Sequence, residues 1–198
     1  MRWQIPTEGS IFSWERVAYY EAAGWRATYD RAWVKAFLLM VRLNREEFRM
    51  PFMTAVAGAI DIVRASMAFA PVDNDVFMAA EFIRRYYAKA RRSAGIQPDA
   101  ETLAGLEMDY WIVHRDVAGA RMKNHKLDNI KAMIESLVRL HAALFNASPK
   151  ATRRSAVQRA KAAVTVDRIT GRYSTDVEAD WARVEVYLEE AYRALEGG

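Results

Sequence analysis

The chain contains no cysteine. That excludes disulfides, thiolate metal sites and cysteine nucleophiles. Only 5 prolines and 9 glycines interrupt 198 residues, so the two strongest helix breakers are scarce. No segment alternates strictly between apolar and polar residues, as a half-buried strand would. Long uncharged runs are missing too. The run from Pro51 to Ile60 falls well short of the ~18 apolar residues expected of a membrane span. The opening residues Met1-Arg2-Trp3-Gln4-Ile5-Pro6 lack the apolar region of a signal peptide. There is no glycine-rich phosphate-binding motif, no repeat and no low-complexity linker. These absences predict a cytoplasmic protein with no membrane partner. Asn146-Ala147-Ser148 spells a glycosylation sequon, but Ser148 reads better as a helix cap.

Hydrophobic residues make up 52% of the chain, enough to build a core at a length where roughly 70% of the surface can be buried. The formal net charge is +4, from 29 basic and 25 acidic residues. Such a balance permits an acidic partner without demanding one. The chain also carries 6 Trp, 9 Tyr, 8 Phe and 9 Met. Inside, these residues would form a large core. On the outside they would mark an interface between copies, so a homo-oligomer, specifically a dimer, is expected.

Helix punctuation recurs about every 20 residues. Ser13 can cap a first helix and Asp30 a second, which would carry Trp33, Phe37, Met40, Val41 and Phe48 on one face. Pro51 suits the first turn of a third helix. Asp75 and Gly95 bracket a fourth, and Pro98-Asp99 opens a fifth that breaks in the polar stretch from Arg121. A sixth carries Leu127, Ile130, Ile134, Leu137, Val138 and Phe145. Ser148-Pro149 starts a seventh, which Gly171 stops. Thr175-Asp176-Val177-Glu178 reads as a capping box for an eighth. The expected fold is all-α: a single compact bundle of about eight helices over residues 13–196, preceded by an N-terminal extension over residues 1–12.

Ionisable residues on the apolar stripes carry the functional reading, because a buried charge needs a partner. Glu21 falls among Trp14, Val17 and Trp25. Glu107 and His114 fall on the stripe of Leu103, Leu106, Tyr110 and Val117. His141 stands one turn from Leu137, Val138 and Leu144. Asp167 follows Ala156, Ala160 and Ala163, and Arg64 lies one turn from Ile60 and Val63. One expectation is an internal polar pocket formed by Glu21, Glu107, His114 and His141, with Arg64 and Asp167 as supporting ion-pair partners. Such a pocket would bind or transform a small, partly apolar molecule. A second is a non-catalytic scaffold in which these groups merely satisfy one another. A third is a non-haem iron or manganese site built from Glu107, His114 and His141. The seven-residue step from Glu107 to His114 resembles one ligand pair of the haem-oxygenase-like di-iron proteins. Their further His/Asp/His cluster on a late helix has no counterpart, since no histidine follows His141.

The other motifs dissolve on inspection. In Arg84-Arg85-Tyr86-Tyr87-Ala88-Lys89-Ala90-Arg91-Arg92, helical phase sends the tyrosines to the core and Arg85, Lys89 and Arg92 to an outer ridge. Lys150, Arg154, Lys161 and Arg168 line one edge of the seventh helix, yet acidic residues are nearly as numerous overall. Nucleic acid is not an expected partner.

Overall fold

The computed structural model describes residues 13–124 and 130–196, with side chains over 13–119 and 130–196. The expected extension over residues 1–12, and Leu127 of the sixth helix, lie outside the described residues. The described residues form eight helices and no strand. They are α1 (Trp14–Tyr29), α2 (Trp33–Glu47), α3 (Phe52–Phe69), α4 (Val76–Ala94), α5 (Ala100–Asn124), α6 (Lys131–Phe145), α7 (Pro149–Thr170) and α8 (Val177–Arg193). The fold is therefore an all-α bundle.

Side-chain oxygens set five of the helix starts. Ser13, Asp75, Asp99, Ser148 and Asp176 each accept a hydrogen bond from a backbone N–H three residues on, satisfying one of the orphan donors of the first turn. For α8 the capping oxygen belongs to Asp176, one residue after the expected Thr175. Gly95 ends α4 in the left-handed region at φ 71°, where a residue without Cβ carries no strain.

Three boundary expectations need correction. Asp30 does not cap α2. It closes α1, where Ala32 N–H reaches back to the Ala27 carbonyl at 2.8 Å through a left-handed Arg31, a Schellman-type ending. Pro51 is the N-cap of α3 and not a member of its first turn. The polar stretch from Arg121 does not break α5, which runs on to Asn124.

Each helix packs on its neighbours in sequence, and α8 returns to pack on α1. The eight helices thus close into a ring. Eight helices at ordinary ~9 Å spacing around a circle would leave a lumen on the order of 13 Å across. Aliphatic side chains alone would not fill it, which accounts for the aromatic load. Trp14, Phe48, Tyr86, Tyr87, Tyr110, Trp181 and Tyr192 are all buried. Trp14 stacks on Tyr192 with ring centres 5.5 Å apart, tying α1 to α8.

Helix α3 has the opposite polarity from its expected orientation. Its buried residues are small, namely Ala55, Gly58, Ala59 and Ala65, together with Asp61 and the terminal Phe69. A Cβ on Gly58 would stand 3.3–3.4 Å from Asn44, Met50 and Tyr86, so glycine allows the neighbouring helices to approach. The large residues Met53, Ile60, Val63 and Met67 point outward. By length and composition α3 is the one described helix apolar enough to cross a membrane, with a mean hydropathy of 1.4 over 18 residues. The expectation that no stretch reaches this threshold rested on uncharged runs, and the charges of Asp61 and Arg64 concealed the helix. Asp61 is turned inward and paired with Lys89 of α4 at 2.5 Å. Trp33, expected on an inner face of α2, is 63% exposed. The rest of that face turns inward: Val41 and Phe48 are buried, and Phe37 and Met40 pack against the core.

Candidate functional site: a polar cavity at the centre of the ring

Each of the eight helices contributes at least one side chain to a cavity of about 170 Å³. Its apolar wall includes Trp25, Met40, Phe48, Leu140, Leu144 and Phe145. Its polar lining is Glu21, Asn44, Glu47, Tyr86, Tyr87, Glu107, His141, Ser155, Arg159 and Tyr192.

Glu21 projects from the Trp14–Val17–Trp25 stripe of α1, and its side chain is only 6% exposed. Its partner is Arg159 of α7, whose two terminal nitrogens meet the two carboxylate oxygens at 2.9 and 2.5 Å. Tyr192 of α8 donates to the same carboxylate at 2.7 Å. The Arg159 guanidinium also lies 5.7 Å from the Trp25 ring centre, within cation–π range. Burial works against the charge on Arg159, but Glu21 and the surrounding tyrosines more than offset it, so the guanidinium stays ionised. A two-pronged guanidinium–carboxylate pair is the arrangement best able to compensate desolvation.

Glu107 of α5 is held differently. Tyr87 donates to one of its oxygens and Trp111 Nε1 to the other, both at 2.7 Å. Burial raises its pKa, and those two donors oppose the rise. Glu47, in the last turn of α2, is pushed up to about 8, first by burial and then by the Glu21 carboxylate. Arg159 and the nearby Tyr192 hydroxyl restrain the shift, and Glu107 adds to it. At neutral pH Glu47 is mostly protonated. His141 of α6 goes the other way, to about 3, because burial and the Arg159 charge disfavour the imidazolium. The neutral ring shares a hydrogen bond of 2.9 Å between Nδ1 and Ser155 of α7. Tyr86 donates to Asn44 at 3.1 Å, and Asn44 donates to the Ala55 carbonyl of α3 at 3.1 Å. The tyrosine hydroxyls at 86, 87 and 192 are held neutral by burial and by the surrounding carboxylates. The cavity therefore holds a carboxyl group that titrates near neutrality, a neutral imidazole and one committed cation. That set can bind a polar group, orient it and exchange a proton with it.

Of the candidates read from sequence, Glu21, Glu107 and His141 line this cavity together. His114 does not. Its Nε2 lies 3.0 and 3.2 Å from the two oxygens of Asp167 on α7, and its ring stacks on Tyr110 at 5.7 Å. Asp167 thus serves His114 and not Arg64. Arg64 pairs with neither Glu21 nor Asp167. It sits on the outer surface with its guanidinium 5.8 Å from the Phe82 ring centre, because the Ile60–Val63 stripe used to place it faces outward. With His114 drawn away, Glu107, His114 and His141 do not share a centre. Among the described residues no three His, Asp or Glu side chains are grouped to hold a metal ion.

Four polar lining residues, Arg159, Glu47, Asn44 and Ser155, escaped the sequence reading. Arg159 shares its face of α7 with Thr152, Ser155, Ala162, Ala163 and Val166, but a lone arginine among alanines reads as solvated. Glu47 lies one and two turns beyond Leu43 and Met40, and its position in Arg45-Glu46-Glu47 disguised it as a polar helix end. Asn44 had the same disguise, at the edge of Asn44-Arg45-Glu46. The spacing 40, 43, 44, 47 was the available signal. The cationic edge of α7 is partly consumed: Arg168 binds Asp180, which also takes Arg183 and Ser174.

The chain matches no protein-family model, and no curated protein or solved structure matches it.

Two measurements probe this site. Arg159→Met leaves the Glu21 carboxylate buried without its counter-ion and should lower stability in urea unfolding by about 3–5 kcal/mol. The double variant with Glu21→Leu should recover much of that loss, and additive losses would show that the two residues do not act as a pair. The second measurement is stability against pH. His141 has a lowered pKa, so its contribution is complete above about 6.5 and is lost as pH falls toward 3. Glu47 has a raised pKa, so its contribution is complete below about 4.5 and is lost as pH rises through 8. Each window has a limiting slope of about 1.4 kcal/mol per pH unit. Glu47→Gln should flatten the decline between about pH 4.5 and 8, and an unchanged profile would remove Glu47 as its source.

Proposed function

We propose that this protein binds, and is equipped to transform, a small, partly apolar molecule in the central cavity. The observation that carries this reading is the cavity itself. Protein interiors are close-packed, and voids larger than a water molecule are few. Here about 170 Å³ stays open at the point where all eight helices converge. Its wall combines aromatic surface with a few convergent polar groups, the usual make-up of a ligand pocket. Glu47 and His141 have pKa values displaced in opposite directions, a pattern associated with sites that move protons.

Ala191, buried on α8, lines the cavity. Ala191→Leu would extend a side chain into the open volume. The variant should gain about 0.5–2 kcal/mol of stability through filling. It should also lose the melting shifts that a panel of small amphiphilic molecules produces in the parent protein. If the same molecules shift both proteins equally, they bind elsewhere and the reading fails.

The outer face of α3 favours a second reading, an assembly role through a homodimer. Met53, Val56, Ile60, Val63 and Met67 follow a 3-4-3-4 spacing, and all but the partly buried Val56 are exposed. That is the seam another helix fills. A two-fold axis would let the same stripe of a second copy fill it. Light scattering coupled to gel filtration should give twice the chain mass for the parent and the chain mass for Ile60→Glu. A monomeric parent would rule the dimer out.

A further inference from the structure

We infer that the molecule taken by the central cavity is a small organic cation, an ammonium group on a short apolar body, whose charge is met by the carboxyl groups of Glu47 and Glu107. The inference rests on the binding role proposed above and specifies the ligand class.

The charge count of the wall is the first argument. Among the described residues lining the cavity there are three carboxyl groups, on Glu21, Glu47 and Glu107, and one guanidinium, on Arg159. Glu21 already holds that guanidinium through both oxygens. The remaining lining base, His141, is kept neutral by burial. Glu107 is held by uncharged donors, the hydroxyl of Tyr87 and the indole of Trp111. Glu47 faces the Tyr192 hydroxyl. Two carboxyl groups thus sit in a low-dielectric space with no cation of their own among the described residues of the wall. A buried carboxylate without a counter-charge is costly. Glu47 avoids the cost in the empty protein by keeping its proton. An entering ammonium group removes the cost directly and releases that proton.

The other ligand charges fit less well. An anion would face the same carboxyl groups, and the one guanidinium able to receive it is committed to Glu21. A neutral polar molecule would gain only neutral hydrogen bonds and leave the electrostatics of the wall unchanged. A bare metal ion needs several ligands at once, and no such group of three exists among the described residues. An ammonium group needs only one or two carboxylates.

Size and surface agree with this choice. The volume of about 170 Å³ is close to that of a cavity of ~150 Å³ known to accept benzene. The body of the ligand is therefore on the order of six to ten non-hydrogen atoms. Tyr86, Tyr87 and Tyr192 supply ring surface beside the carboxyl groups, and aromatic faces attract cations.

The test uses three probes of one shape and different charge: benzylamine, benzyl alcohol and benzoate, titrated calorimetrically into the full chain at pH 7. Benzylamine should bind at least about tenfold more tightly than benzyl alcohol, a difference of ~1.4 kcal/mol. Benzoate should not bind. Glu47→Gln and Glu107→Gln should each weaken benzylamine about tenfold or more while leaving benzyl alcohol unchanged. Two separate isosteric variants guard against one of them misfolding. If benzyl alcohol or benzoate matches benzylamine, or if neither variant alters benzylamine binding, the cation assignment is overturned while the pocket stands. If no probe binds the parent protein, the pocket and the cation fall together.

Discussion

A carboxylate and a guanidinium turned into the middle of a closed ring of helices must satisfy each other, because bulk water lies outside the ring. That constraint, realised in Glu21 and Arg159, organises the structure. The two residues are on α1 and α7, which are not packed neighbours. Their pairing, with Tyr192 from α8 as third member, brings the two ends of the ring together over the cavity. Replacing such a pair by apolar residues of similar volume is often neutral for stability, whereas removing one partner is severe. The pair contributes mainly by fixing which helix faces inward and at what register.

The same division of labour recurs around the ring. Contacts between consecutive helices combine apolar seams, several of them built on alanine, with polar bonds such as Asp61–Lys89 between α3 and α4. Directional bonds also cross between non-consecutive helices. Asn44 of α2 reaches Tyr86 of α4, and His114 of α5 reaches Asp167 of α7. Arg115 of α5 donates to the Phe69 and Pro71 carbonyls at the end of α3, satisfying helix-end acceptors that have no intrahelical partner. Apolar burial closes the ring. Directional bonds across it hold its centre partly open, because each ties up a side chain at a fixed length that cannot collapse into the cavity. The acidity of that centre follows. Among the described lining residues three carboxyl groups converge where one guanidinium is available, and burial, followed by the repulsion of that surplus, raises the pKa of Glu47.

The helices were legible in the sequence because their signals are local. Ser13, Asp75, Gly95 and Ser148-Pro149 act within a turn or two of themselves, and each does what its chemistry predicts. Inward orientation was legible only where large residues mark the inside. On α1, α5 and α6 the stripes are bulky, and Glu21, Glu107 and His141 were placed on them correctly. On α3 the inner face is alanine and glycine while the bulk faces outward, so the stripe that located Arg64 pointed to the wrong side. Pairing was the least legible feature. Glu21 and Arg159 are separated by 138 residues, and nothing local in Arg159 distinguishes a buried guanidinium from a solvated one. His114 shows the same limit. Its face was right, but the choice between the cavity and Asp167 depends on how α5 and α7 lie across the ring.

The sequence distance that hid the Glu21 partnership also sets an order of events during synthesis. Helix α1 is made first, and its inward carboxylate has no counter-ion until α7 is made. Its hydroxyl donor, Tyr192, is 171 residues further along. Until then Glu21 keeps its hydration, and the face of α1 that carries it has no dry place to go. The seams from α1 to α6 can form as the chain lengthens, while the interior stays wet. The partners that let Glu21 leave water are thus complete only once the last two helices are in place.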